Sequence, residues 1–107
     1  MATGSEIAIA LESRELLKKD GIQAAVVSMP CWRLFDEQDA DYRHKILGTA
    51  PRIAIEAGIQ QGWEKYLGET GAFVGMTGFG ASAPAEKLYE HFGIAASNVA
   101  KVARKFF

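Results

Sequence analysis

The stretch Ile22-Gln23-Ala24-Ala25-Val26-Val27 carries no charge, is β-branched at three of six positions and follows Gly21. It lacks the strict apolar-polar alternation of a half-exposed strand. A strand covered on both faces loses its polar-outward positions, so this run predicts a buried strand. Two further runs, Arg52 to Ile55 behind Pro51 and Ala72 to Met76 behind Gly71, have the same character. Helical patterns separate the three. Buried strands interleaved with helices predict an α/β fold with a mainly parallel sheet between helical layers.

The clearest helix signal lies near the end, where Ala85, Leu88, Tyr89 and Phe92 share a face opposite Glu86, Lys87, Glu90 and His91. Ser82 is placed to cap it, Pro84 suits its first turn and Gly93 suits its close. A second amphipathic helix follows, with Ser97 as cap and Val99, Val102, Ala103 and Phe106 as its stripe. Lys101, Arg104 and Lys105 favour its negative end. Glu6 to Lys19 also predicts a helix, capped by Ser5 and stopped by Gly21, with Ile7, Ala10, Leu11 and Leu17 on one side and Ile9 and Leu16 on the other. Asp39 to Leu47 predicts another, and Gly62 to Leu67 a short one.

A chain of 107 residues that is 49% hydrophobic supports one core and is too short for two. Twelve basic against thirteen acidic residues give a net charge of -1, which disfavours nucleic acid or an anionic membrane as a partner. No apolar run approaches the roughly 20 residues of a membrane span. A soluble protein is therefore expected. One cysteine forms no internal disulfide, and the first residues lack a secretory pattern, so a reducing, cytoplasmic setting is expected.

The chemistry-bearing residues are sparse. Glycine is dense from Gly71 to Gly80, just before a helix, and a glycine-rich turn can present amides to an anion. Gly78, Gly80 and Ser82 are the anion-site candidates on that reading, which is weaker than that of a strand-to-helix turn needing unusual dihedrals. The spacing fits neither a P-loop nor a dinucleotide fingerprint. Cys31 is expected to be a structural, buried or partly buried cysteine, because only His44 and His91 are available as bases. Those histidines lack companion ligands at metal spacing. The acidic group Asp36, Glu37, Asp39 and Asp41 lacks the pattern of a calcium loop and is expected to be a solvated loop and helix start. Glu56 closes a predicted parallel strand, where open α/β sheets place ligand groups, but one carboxylate is not a mechanism.

Several blocks together resemble a known family. Val26-Val27-Ser28-Met29-Pro30-Cys31-Trp32, continued by Leu34-Phe35-Asp36-Glu37-Gln38-Asp39 and Tyr42-Arg43, resembles the C-terminal domain of transketolases. So do Ile53-Ala54-Ile55-Glu56-Ala57-Gly58, Trp63 with Lys65-Tyr66, Gly75-Met76-Thr77 with Phe79-Gly80, and Ser82-Ala83-Pro84-Ala85. The leading Ala2-Thr3-Gly4-Ser5-Glu6 matches as well. The resemblance implies a three-layer α/β/α sandwich with a mixed, mostly parallel sheet over residues 1–107.

It also implies a parent transferase of the pentose phosphate pathway that moves a two-carbon ketol unit between sugar phosphates. That parent uses thiamine diphosphate and magnesium, bound by two preceding domains across a homodimer. No catalytic, cofactor-binding or metal-binding residue of the family falls on this chain. The domain alone is expected to be inactive and to serve assembly with the remaining domains and a second subunit. The other readings are a small-anion or regulatory ligand-binding module and the small subunit of a split transketolase. Family members carry an apolar strand before the Ala-Thr-Gly-Ser-Glu segment, where only Met1 stands here. The resemblance therefore implies a missing first strand and an exposed sheet edge that self-associates or is repaired by a neighbouring molecule.

Overall fold

Ala54 is fully buried at the middle of β1 (Ile53–Ile55), which pairs in parallel with β2 (Ala72–Val74) in the computed structural model, which describes residues 1–107. The register sets Ile53 against Ala72, Ala54 against Phe73 and Ile55 against Val74. On the other edge of β1, Ala2 bridges in parallel to both Ile55 and Ser28. The order across the sheet is therefore the 22–29 segment, Ala2, β1 and β2. Every pairing is parallel, as expected for strands joined by helices.

Ile22 to Val27 does not form a strand, contrary to its composition. Only Ser28 at its end is bridged, to Ala2, and residues 22–27 have no ladder of backbone hydrogen bonds to a neighbouring strand. Apolar, β-branched residues favour extended chain, but a ladder also requires a hydrogen-bonding neighbour along its length.

Side-chain alternation divides the core into two faces. Ile55 and Val74 pack with Ala10, Ile94 and Val99 on one face. There lie α1 (Glu6–Lys19) and α6 (Ala96–Arg104), and α6 buries Ala96, Val99, Ala100 and Ala103. Ala54 instead joins Met29, Trp63, Tyr66 and Leu67 on the opposite face. That side is built from α2 (Trp32–Asp36), α3 (Ala40–Leu47) and α4 (Glu64–Leu67), with Trp32 edge-on to Trp63 at a centroid distance of 4.9 Å. The sheet is thus sandwiched between two helical layers.

Local chemistry explains most boundaries. Asp39 caps α3, its carboxylate accepting from the Tyr42 amide at 2.8 Å. In α1 the buried stripe is Glu6, Ala10, Ser13 and Leu17, while Leu11, expected on that stripe, is 40% exposed. Ser13 is accommodated because its hydroxyl donates to the Ile9 carbonyl at 2.6 Å.

Two expected caps are displaced. Ser82 does not cap α5 (Ala85–His91): Pro84 is extended (φ -53°, ψ 141°), and its carbonyl accepts from Lys87 and Leu88, so the helix starts after it. Ser97 lies inside the first turn of α6, because the extended Ala95 supplies the first accepted bond, from Val99. Gly93 does close α5, with φ of +70° that costs glycine little. Asn98 donates to its carbonyl at 2.8 Å, tying the α5 end to α6. No helix is long and apolar enough to cross a membrane.

Candidate functional site

The C-terminal ends of parallel strands gather polar groups in open α/β sheets. Here β1 ends into Glu56, whose Oε2 accepts from the Thr3 hydroxyl at 2.8 Å. Glu6, at the start of α1, is only 4% exposed. Its Oε1 accepts from the Tyr89 hydroxyl at 2.7 Å and the Ser5 hydroxyl at 2.8 Å, and those hydroxyls lie 2.9 Å apart. Burial pushes the Glu56 carboxyl above the ordinary glutamate value; the Thr3 hydroxyl opposes this and the Glu6 charge reinforces it. Sequence reasoning singled out Glu56 but not Glu6, Ser5 or Tyr89. Nothing in spacing joins positions 6, 56 and 89.

The hydroxyl donors hold both carboxylates in place and brace α1, the β1 end and α5 against one another. His44 and His91 are exposed on their helices and belong to no such cluster. Beside Tyr89 an apolar cavity of about 220 Å³ is lined by Met76, Gly80, Leu88, Phe92 and Ile94 among others, with no charged side chain in its wall.

Among the anion candidates, Gly80 borders that cavity, and Gly78 and Ser82 are exposed in the loop before α5. Neither glycine has positive φ, so the unusual dihedrals expected of this turn are not found there.

Cys31 is exposed rather than buried. It stands extended at the head of α2 (φ -145°), and the next residue, Trp32, turns inward onto Trp63 and Tyr66. The acidic group is put to structural use. Asp36 binds the Lys65 ammonium and the Tyr66 hydroxyl, which hold its carboxyl below the usual range in that order of effect. Glu37 pairs with Arg33 four residues earlier at 3.0 Å, and Asp39 is the α3 cap. No three His, Cys, Asp or Glu side chains come together to hold a metal ion. These residues do not fit a magnesium-diphosphate group.

The sequence model of the transketolase-like TK C-terminal domain matches residues 1–95. The chain is 62% identical over 100 residues to a transketolase of Sinorhizobium medicae, covering 92% of this chain and 14% of that protein. It is 55% identical over 105 residues to a transketolase of Cereibacter sphaeroides, covering 98% of this chain and 16% of that one. Among solved structures, transketolase from Leishmania mexicana superposes with a TM-score of 0.90 at 43% identity, over 98% of this chain and 15% of that chain. The chain thus spans about one seventh of the length of the relatives it matches. With a family match from Met1 to Ala95 and the same fold in a solved relative, the chain belongs to the transketolase-like C-terminal domain family.

Proposed function

We propose that this domain completes a transketolase, a transferase that moves a two-carbon ketol unit between sugar phosphates with thiamine diphosphate and magnesium held by its other domains. The domain contributes assembly rather than chemistry, packing against the preceding domains of a cytoplasmic homodimer. The single observation that carries this reading is the 62% identity to a named transketolase over 92% of the chain. The interior supports it: the Glu6–Glu56 polar cluster ties three elements of the fold together, with a donor for each carboxylate.

A domain exchange tests the proposal. The final domain of the Sinorhizobium medicae enzyme is replaced by this chain, and ketol transfer and oligomeric state are measured. Retention of the native assembly with kcat within about threefold is expected. A folded chimera that assembles normally yet transfers no ketol would sink the reading, as would turnover by the isolated domain.

A further inference from the structure

An apolar cavity and a pair of carboxylates meet at the carboxyl ends of β1 and β2, and Tyr89 belongs to both. It lines the cavity and donates its hydroxyl to Glu6 at 2.7 Å. Ala57, the residue after Glu56, is part of the cavity wall, and so is Met76, two residues beyond β2. Open α/β sheets bind their ligands outside the carboxyl ends of the strands.

The cavity has the size and shape to take a small ring. Its volume is about 220 Å³, more than the roughly 150 Å³ of an engineered apolar cavity that accepts benzene. Ile94 at its floor is buried, whereas Ala57, Gly80, Ala81 and Ala85 at its rim are exposed, which leaves a path for entry. No wall residue is charged, so the cavity itself selects an apolar group.

The carboxylates beside it lack a cation. The ion pairs of the molecule are Arg14–Glu15, Arg33–Glu37, Lys65–Asp36 and Arg104–Asp20, and neither Glu6 nor Glu56 takes part in one. Thr3, Ser5 and Tyr89 offer them only neutral hydroxyls. Both donors to Glu6 fall on Oε1, so Oε2 of a side chain that is 4% exposed accepts from no protein group. The Glu6 charge also disfavours ionisation of Glu56. An ammonium lodged there takes up the free oxygen and offsets both charges.

We propose that this site binds a small primary ammonium with an aromatic or branched aliphatic tail, the tail in the cavity and the ammonium at Glu6 and Glu56. The ligand follows the course of Tyr89, apolar along the cavity and polar at the carboxylates, so a short linker joins its two parts. An ammonium has three donors and no acceptor, which suits a cluster rich in acceptors. The inference rests on the cavity and the carboxylates and is independent of the assembly reading above.

The test titrates the 107-residue chain with phenethylamine and follows amide and methyl NMR shifts. Saturable shifts at Ala57, Tyr89 and Ile94 are expected, with a Kd of about 1 mM or below. Phenethyl alcohol has the ring without the charge and methylamine the charge without the ring; each is expected to bind about tenfold more weakly. Glu56→Gln keeps an acceptor for Thr3 and removes a charge. It is expected to weaken the amine about tenfold and to leave the alcohol unchanged, a contrast that a merely misfolded variant does not give. Ala85→Leu, at the exposed rim, is expected to weaken both ligands. Absence of saturable shifts at Ala57 and Ile94 overturns the proposal, as does equal affinity for amine and alcohol, or an amine affinity indifferent to Glu56→Gln.

Discussion

Tyr89 donates its hydroxyl to the Glu6 carboxylate at 2.7 Å across 83 residues of chain, locking the head of α1 to α5. Glu6 is nearly inaccessible to water, so its charge depends on donors supplied by the fold. Tyr89→Phe keeps the ring and removes one of those donors. The expected loss is about 1.5–3 kcal/mol, the range for hydrogen bonds to charged groups. It is read as a lower urea midpoint at unchanged slope.

Glu56 gives the domain a pH dependence of definite sign. Burial raises its folded-state affinity for a proton above that of the unfolded chain, whose ordinary value is 4.5. Its favourable contribution is therefore fully present below 4.5 and is lost as pH rises through the raised folded value. Glu56→Gln keeps an acceptor for the Thr3 hydroxyl and abolishes the titration. Urea unfolding from pH 4.5 upward is expected to show a flatter profile in the variant, with equal or greater stability at pH 7.

The glycines of the Gly71 to Gly80 run separate into those that need the missing side chain and those that do not. A Cβ at Gly71 would sit 2.5 Å from the Leu67 carbonyl oxygen, a backbone atom that cannot swing aside. At Gly78 it would meet nothing within 4 Å. Gly71→Ala is expected to destabilise by about 1–3 kcal/mol, as overpacking does. Gly78→Ala is expected to be neutral or to stabilise by up to about 1 kcal/mol through the unfolded chain. Paired urea melts compare the two.

Elements whose reasons are local were legible in the sequence. A helix beginning near Asp39, the Gly93 close and the periodic faces of α5 and α6 were announced within a few residues of their places. The cores of β1 and β2 were visible because both strands are buried and paired along their length. Ile22 to Val27 has the composition of a strand, but pairing is a property of the neighbour as well. α2 escaped notice because five residues carry no period. Cys31 was misplaced because it is the neighbouring Trp32 that turns inward at the head of α2, leaving the thiol outside. Of the polar cluster, only Glu56 was visible, through its position after a strand; its partners come from distant parts of the chain.

The packing of α6 on α1 also constrains the order in which the molecule is made. Arg104 pairs with Asp20 at 2.7 Å across 84 residues, and Ala100 and Ala103 cover Leu17. During synthesis α1 therefore leaves the ribosome with Leu17 bare, well before the α6 residues that cover it are made. Until then Trp63, Tyr66 and Ala54 can assemble among neighbours already made, whereas the other face waits. An apolar part of α1 thus stays wet until residues 96–104 have been made, and the packing of α6 then hides it.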